Sequence, residues 1–351
     1  MKIITKPFTF NLSYDLSKYG NLEGILFFDI ETTGFTPSNS TLYLIGCVYY
    51  KENSWWITQW FANRLSDEPN ILKAFFSFLT NYHTLIHFNG DGFDIPYLTK
   101  CAQQYSILNT FSLVKSVDIY KLIKPLKKPF QLDSIKLKSI ETFLGIKRED
   151  MFTGGQLISV YHEYVKTKDS QLFDLLVLHN EDDLKGMPNI LPILSYVDLL
   201  ETPITFNYAT LENNKVCFHF TSNICIPNTL HLQTKLGHLQ MIQNYITIFI
   251  SIVNSPLKHF YPNYKDYYYL PLEDTAIHKK VAQFVDKEHK KKATASTCYT
   301  KYYGNSLPIY WDTTLSLLKN EYKEKQLFVP FDHTEQFYKE YTKDMIFKNL
   351  L

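Results

Sequence analysis

Residues 25–34, ILFFDIETTG, contain the strongest structural signal in the chain. An apolar run that ends in acids is typical of a buried central strand. Asp29 and Glu31 occupy alternate positions at its end, so their carboxylates project from the same face. Two like charges there are costly unless something compensates, and a divalent cation is the usual partner. A strand end that opens into a polar loop, with both acids solvated, is the alternative.

The segments around this strand alternate between strand and helix patterns. The predicted elements are a hairpin over 42–50 and 54–61, a helix over 67–79, a strand over 85–88, a helix over 93–104 and a strand over 114–117. The remainder, to about residue 194, is predicted to be mainly helical. This order predicts an α/β domain over residues 1–200, with a mixed sheet and helices on both faces.

The pattern changes near residue 200. Alternating apolar residues over 216–220 and 246–252 predict strands of a small sheet. The stripe Ile277, Val281, Phe284 and Val285 predicts an amphipathic helix entered through Asp274. We therefore expect a second, α+β domain over residues 201–351.

The composition is that of a folded chain with little net charge. With 45% hydrophobic residues and 36 basic against 35 acidic residues, extensive disorder is excluded. Overall charge gives no support for a nucleic-acid partner. Five scattered cysteines without a C-x-x-C pair predict reduced thiols in a cytoplasmic protein. The amino terminus lacks the pattern of a signal peptide, and the longest apolar stretch is too short to span a bilayer. We expect no membrane association.

A second polar cluster, HFNGDGFDIP, covers residues 87–96. It follows a short strand, and its glycines suit a turn where the backbone approaches a ligand closely. Taken alone, Asn89 and Asp94 indicate a turn and a helix cap. Asp91 is most simply a turn acid, and Asp118 is expected to cap the helix after the next strand.

A third cluster, VLHNEDDLKGM, covers residues 177–187. His179 and Asp183 are four residues apart in a predicted helix and therefore share a face. The adjacent acids are also compatible with a solvated helix face. Pro188 and Pro192 are expected to end or kink the helix soon after Gly186.

In this order and spacing, FDIETTG, FNGDGFD and H-x-x-x-D resemble the three-motif signature of the DEDD superfamily of 3′–5′ exonucleases, which have the ribonuclease H-like fold. The closer resemblance is to the bacterial branch with the predicted ribonuclease H-like exonuclease domain. Members of that branch share the stretch that here reads LKSIETFLGIKREDMFTGGQLISVYHEYV. The resemblance covers roughly residues 22–197. It implies a metal-dependent 3′–5′ exonuclease that hydrolyses phosphodiester bonds of DNA or RNA and releases 5′-mononucleotides.

Carried over by position, the resemblance implies that Asp29, Glu31, Asp94 and Asp183 bind two divalent cations, Mg²⁺ or Mn²⁺. Hard oxygen donors suit these ions. His179 stands where the family places the residue that orients or deprotonates the attacking water. Family members usually have Tyr four residues before the last Asp, or His five before it. This sequence has His four residues before, so its reach differs from both arrangements.

Thr32, Asn89 and Phe93 resemble positions that line the terminal nucleotide. The resemblance therefore implies a nucleic-acid partner, with a single-stranded 3′ end as the expected substrate. The alternative is a catalytically inactive nucleic-acid-binding protein that keeps the ribonuclease H-like fold. All four acids are present, which argues against it, whereas the spacing of His179 leaves it open.

The C-terminal part carries a lysine-rich stretch, with seven lysines against two acids between Lys279 and Lys301. Together with neighbouring tyrosines, these lysines could form a phosphate-tracking surface with stacking platforms, and the domain would then help to hold substrate. Alternatively, residues 290–292 cap a helix C-terminus and the tyrosines pack into the core. Both interpretations stay open at the level of sequence.

Overall fold

The computed structural model describes residues 1–146, 154–343 and 345–351. The described chain forms two compact units, Met1–Val197 and Asp198–Leu351. Residues 147–153, which belong to the long stretch quoted above for the family resemblance, lie outside the described residues. Within the described ranges, no helix is long and apolar enough to cross a membrane.

The first unit is built on a six-stranded mixed sheet with the strand order β1-β4-β3-β2-β5-β6. The strands are β1 (Lys2–Phe8), β2 (Ile25–Thr32), β3 (Leu42–Lys51), β4 (Ser54–Phe61), β5 (Thr84–His87) and β6 (Lys115–Asp118). β2 runs parallel to β5 and β5 parallel to β6, whereas the other neighbours are antiparallel. The predicted mixed sheet is confirmed, and the first quoted stretch forms one of its inner strands.

Helices cover both faces of this sheet. The helices of this unit are α1 (Glu68–Leu79), α2 (Asp94–Gln104), α3 (Ile119–Ile123), α4 (Leu137–Phe143), α5 (Gly154–Thr167) and α6 (Ser170–Ile190), and α7 (Leu194–Glu201) contains the boundary to the second unit. On β2, the ring of Phe28 stacks on Phe75 of α1, with centroids 5.5 Å apart. The next residue, Asp29, accepts a hydrogen bond from Asn180 of α6. Because successive strand side chains point to opposite faces, α1 and α6 lie on opposite sides of the sheet.

Two features of the first unit differ from the predictions. The edge strand β1 was not predicted, and it contains Pro7, which the edge of a sheet tolerates. Helix α6 also continues through Pro188 to Ile190 instead of ending soon after Gly186. The turns on either side of Pro188 are anchored by buried Leu184 and Ile190. Their packing outweighs the one backbone hydrogen bond that a proline removes.

The second unit contains a five-stranded antiparallel sheet and several small sheets, so the predicted additional α+β domain is confirmed. The large sheet has the order β7-β8-β11-β10-β9. Its strands are β7 (Thr205–Glu212), β8 (Lys215–Thr221), β9 (Leu230–Gln233), β10 (Gly237–Ile242) and β11 (Tyr245–Ser251). The remaining elements are β12 (Val253–Asn254), β13 (Leu257–Phe260), β14 (Tyr267–Leu270), β15 (Thr275–His278), α8 (Lys279–Ala282), β16 (Lys291–Lys292), β17 (Tyr299–Tyr302), β18 (Asn305–Ile309), β19 (Leu327–Pro330) and α9 (Glu335–Tyr341).

The amphipathic helix predicted over residues 277–285 is wrong. Residues 275–278 form β15, which pairs antiparallel with β14. Asp274 has a φ of 50° and closes the turn between these strands. Val281 and Phe284, which the helical stripe placed in the core, are 57% and 83% exposed. The apolar spacing therefore reflects a strand followed by one helical turn.

Candidate metal centre and active site

Asp29 and Glu31 lie near the carboxyl end of β2, whose preceding residues are buried on both faces. The neighbouring strand β5 is parallel to β2, so the segment that follows β5 leaves the sheet at the same edge. This segment carries the second polar cluster and leads into α2. The topology therefore brings two motifs together that are more than 60 residues apart in sequence.

Asp94 is the first residue of α2 and is buried. Burial is the main cause that raises the pKa of its carboxyl to about 7, and the negative charge of Asp118 adds to the shift. Backbone hydrogen bonds at Asp94 itself and at Ile30 act in the opposite direction. The contact with Ile30 fixes the start of α2 against the strand that carries Asp29 and Glu31.

Helix α6 supplies His179 and Asp183 from one face. The Nε2 atom of His179 lies 3.7 Å from Oε1 of Glu31 and 3.7 Å from Oδ2 of Asp183. One potential ligand atom from each of these three residues lies within 4.8 Å of the other two. The three side chains therefore surround a common point where a cation fits.

The carboxyl of Asp29 lies close enough to the acids of this cluster for their charges to change its pKa. Its pKa is raised well above the ordinary value, first by burial and then by the negative charges of Asp94, Asp183 and Glu31. A hydrogen bond from the Nδ2 atom of Asn180 to its Oδ2 atom, 2.9 Å long, opposes that shift. Carboxylates that repel one another and offer hard oxygen donors fit Mg²⁺ or Mn²⁺.

The structure thus brings together five predicted site residues: Asp29, Glu31, Asp94, His179 and Asp183. The side chain of His179 is buried between two of the acids even though its spacing in the sequence is unusual for the family. His179 therefore lies in the cluster although it is four residues before Asp183.

The three predicted nucleotide-contacting residues lie at the end of β2 and on the segment between β5 and α2, next to these acids. The Oγ1 atom of Thr32 donates to the carbonyl of Gly34 at 2.7 Å. Asn89 is exposed in a turn with a φ of 63°. Phe93 precedes α2 and packs on Tyr97 with ring centroids 5.6 Å apart. Thr32 is the last residue of β2, Asn89 follows β5, and Phe93 directly precedes α2, which supplies Asp94.

The sequence predictions missed three residues around the acids. Phe35 is 88% exposed, and its ring lies edge-on to Phe93 at a centroid distance of 6.0 Å. The hydroxyl of Tyr43 donates to Oε2 of Glu31 at 3.5 Å. Asn180 contacts Asp29 as described above. Only Asn180 and Phe35 carried a sequence signal, because Asn180 is three residues from Asp183 on a helix and Phe35 directly follows FDIETTG.

His87, Asp91 and Asp118 form a second group of possible metal ligands. The carboxylate oxygens of this group already accept hydrogen bonds from neighbouring protein groups. Asp118 accepts backbone hydrogen bonds from Asn89 and Asp91 and caps α3, as predicted. The carboxylate of Asp91 accepts a 2.7 Å hydrogen bond from Lys121 Nζ and another from Ser116. Since amide, hydroxyl and ammonium groups donate to these oxygens, we interpret the group as one that stabilises the loop leading to Asp94.

In the second unit, the contacts of Lys290 fit the capping interpretation, whereas Lys291 and Lys292 form β16 and are exposed. The Nζ atom of Lys290 donates to the carbonyls of Ala282, at the end of α8, and of Val285. Lys279 pairs with Asp266. Three of the tyrosines that neighbour these lysines in sequence, Tyr264, Tyr267 and Tyr269, pack with Tyr261 against a small buried cluster of Ala276, Ala293 and Cys298.

Several solved structures resemble the chain loosely. The family B DNA polymerase from the hyperthermophilic archaeon Pyrobaculum calidifontis aligns with 14% identity over 69% of this chain and 35% of its own, with a TM-score of 0.40. E. coli Exonuclease I in complex with a dA16 oligonucleotide aligns with 12% identity over 56% of this chain and 54% of its own, with a TM-score of 0.28. Exonuclease I from Methylocaldum szegediense gives 10% identity, coverages of 55% and 53%, and a TM-score of 0.28. This chain therefore spans about a third to a half of the proteins it aligns with.

These TM-scores are too low to support a functional argument. Among curated proteins, none matches the chain significantly. The family comparison is specific, because residues 26–195 match the model of the RNase_H superfamily. The match spans β2 to β6 of the mixed sheet and helices α1 to α6, with all five clustered site residues. This segment, just under half of the chain, is therefore assigned to the RNase_H superfamily.

Proposed function

We propose that the first unit is a metal-dependent 3′–5′ exonuclease that hydrolyses phosphodiester bonds of DNA or RNA. The observation that carries the proposal is the convergence of Asp29, Glu31, Asp94 and Asp183 with His179 at one edge of the sheet. The 3′–5′ direction rests on the resemblance of the three motifs to the DEDD exonucleases.

The four carboxylates would hold two divalent cations. When bound, such ions supply a more acidic water, stabilisation of the leaving oxygen and neutralisation of charge on the phosphate. The Nε2 atom of His179 lies 3.7 Å from a carboxylate oxygen of Glu31 and 3.7 Å from one of Asp183, which places its imidazole beside the proposed cation site. The chain itself therefore contributes ligand oxygens and an oriented base.

His179 is suited to take the proton from the attacking water. The water oxygen forms a bond to the phosphorus of the terminal nucleotide while the bond to the 3′ oxygen of the preceding sugar breaks. The products are a 5′-mononucleotide and a chain shortened by one residue with a free 3′ hydroxyl.

The loops beside the acids would hold the substrate terminus. Phe35 and Phe93 form an aromatic edge on which a terminal base can stack. Thr32 at the end of β2 and Asn89 on the loop after β5 would contact the terminal nucleotide. A single strand suits this arrangement, because its end can leave the stack without breaking base pairs.

The test is digestion of single-stranded DNA and RNA, each labelled at the 5′ end in one sample and at the 3′ end in another. With Mg²⁺ or Mn²⁺, we expect the 5′-labelled strands to shorten stepwise and the 3′-labelled strands to release only labelled mononucleotide. Chelation by EDTA and the variants Asp29→Asn and Asp183→Asn should each abolish product formation.

An absence of product with either metal would refute the catalytic proposal, as would full activity of Asp29→Asn. Strand binding without any product would instead support the alternative of an inactive nucleic-acid-binding protein. Release of nucleotides from the 5′ end would refute the proposed direction alone.

A further inference from the structure

Three residues form a row across the sheet beneath helix α6. The strand register pairs Asp29 of β2 with Gly46 of β3, and Gly46 with Gln59 of β4. Directly paired residues of antiparallel strands point to the same face. The carboxylate of Asp29 and the amide of Gln59 therefore lie on either side of Gly46, which has no side chain.

Asn180 of α6 occupies the space above Gly46 and bridges the two outer residues. A Cβ atom at position 46 would lie 2.1 Å from the Oδ1 atom of Asn180. Asn180 donates through Nδ2 to Oδ2 of Asp29 at 2.9 Å, and its Oδ1 accepts from Nε2 of Gln59 at 2.9 Å. The same Nε2 atom also donates to the carbonyl of Val177 at 3.0 Å.

The hydrogen bonds from Gln59 to Asn180 and from Asn180 to Asp29 form a relay. The groups at its two ends hold both amides in one orientation. The carbonyl of Val177 can only accept, so Gln59 must turn its NH₂ group toward α6. That NH₂ group also faces Asn180, which must therefore present its oxygen to Gln59 and its NH₂ group to Asp29. Asp29 thus always meets a donor, and neither amide can flip without losing hydrogen bonds.

The relay also has a cost. Gln59 and Asn180 are both 0% exposed, and the Oε1 atom of Gln59 has no hydrogen-bond partner among the described residues. A buried polar atom without a partner disfavours folding. An apolar side chain at position 59 would avoid that penalty, so the pairing with Asn180 is not explained by stability alone.

We infer that Gln59 and Asn180 are positioning residues for metal binding by Asp29. They hold its Oδ2 atom toward α6 and leave Oδ1 as the oxygen directed to a cation. The inference rests on the proposed function, because it assigns the relay to the same metal centre. It adds a residue, Gln59, whose strand, β4, lies outside all three motifs in the sequence.

The test compares Gln59→Met and Asn180→Leu with Thr58→Val. Thr58 directly precedes Gln59 in β4 and points to the opposite face, where its hydroxyl contacts those of Thr5 and Tyr49. Thr58→Val therefore removes buried hydrogen bonds from the same strand without touching Asp29. Circular dichroism and urea titration establish that each variant is folded, and calorimetric titration measures its affinity for Mn²⁺.

We expect Gln59→Met and Asn180→Leu to weaken Mn²⁺ binding about 10- to 100-fold, as supporting hydrogen bonds to metal ligands typically do. Thr58→Val should bind Mn²⁺ like the wild type. Saturating Mn²⁺ should restore most of the kcat of the relay variants, whereas Asp29→Asn should stay inactive. If Asn180→Leu fails to fold, Gln59→Met alone decides the question.

Unchanged Mn²⁺ affinity in a folded Gln59→Met variant would overturn the inference, and so would an equal loss in Thr58→Val. Neither result would affect the proposed nuclease. If the wild type itself bound no Mn²⁺, the metal centre and the relay would both be refuted.

Discussion

Gly46 lies directly beneath Asn180, and a Cβ atom at position 46 would come within 2.1 Å of Oδ1 of Asn180 and 2.4 Å of Cδ1 of Leu184. Both of these residues belong to α6 and are fully buried. The close approach of α6 to β3 therefore depends on the missing side chain. Since α6 carries His179 and Asp183, the same glycine sets their distance from the acids on β2.

Gly46→Ala should lower both stability and activity. Asn180 is held at both ends and cannot move aside, so we expect a loss of about 1–3 kcal/mol in the free energy of unfolding, typical of an overpacked core. Urea denaturation measures it. Gly155→Ala is the matched control, because position 155 is in an exposed turn of α5 and no atom of the described residues lies within 4 Å of the added atom. This control should be neutral or slightly stabilising. Wild-type stability of Gly46→Ala would contradict the packing argument.

Metal binding should strengthen as the pH rises. Burial raises the pKa of Asp94 to about 7, and burial with neighbouring negative charges raises that of Asp29. The metal-free folded protein therefore keeps protons that the unfolded chain has released. Between about pH 4 and pH 7, the stabilising contribution of these groups falls as the pH rises.

A cation that replaces those protons is favoured at higher pH. We expect the increase in Tm caused by Mn²⁺ to be larger at pH 8 than at pH 6, measured by thermal unfolding with and without the ion. Asp94→Asn should reduce this pH dependence. An equal increase at both pH values would show that the carboxyls are already ionised without metal.

His179→Ala should separate proton transfer from metal binding. Loss of a positioned base lowers kcat about 100- to 10,000-fold, whereas the carboxylate oxygens that hold the ions remain. Single-turnover digestion and calorimetric titration with Mn²⁺ measure the two properties. Asp183→Asn should lose both. The assignment fails if His179→Ala keeps wild-type kcat, or if its only defect is in Mn²⁺ affinity.

Phe35→Ala should weaken binding of single-stranded DNA without loss of stability. The ring is 88% exposed, so its removal leaves the core intact, whereas a lost base stack costs about 1–3 kcal/mol of binding free energy. Fluorescence anisotropy with a short oligonucleotide in Ca²⁺ measures the affinity. Phe284→Ala removes an equally exposed phenylalanine from the second unit and is the control. Equal losses in the two variants would remove the special role of Phe35.

Local pattern was sufficient to predict the elements that position the acids. The apolar run before Asp29 and Glu31 predicted β2, and the interval between two apolar runs predicted the hairpin of β3 and β4. These predictions succeed because strand and helix periodicities are properties of neighbouring residues. The resemblance of the three motifs to the DEDD exonucleases added the set of candidate ligands.

The predictions that failed depended on distant partners. Residues 275–278 form a strand because β14 pairs with them, and β1 exists because β4 offers it an edge. The apolar spacing of either segment contains no information about that partner. Helix α6 similarly passes Pro188 because its other turns are buried against the rest of the unit.

The sequence alone determined which carboxylates and which histidine are the candidates for binding metal and activating water, since their identity and spacing are encoded along one chain. Only the tertiary structure decided how they are held. Asn180 contacts Asp29 across 151 residues and Gln59 across 121, above a glycine on the intervening strand. Such contacts follow from sheet register and helix packing, which are fixed when distant segments bury their surfaces together.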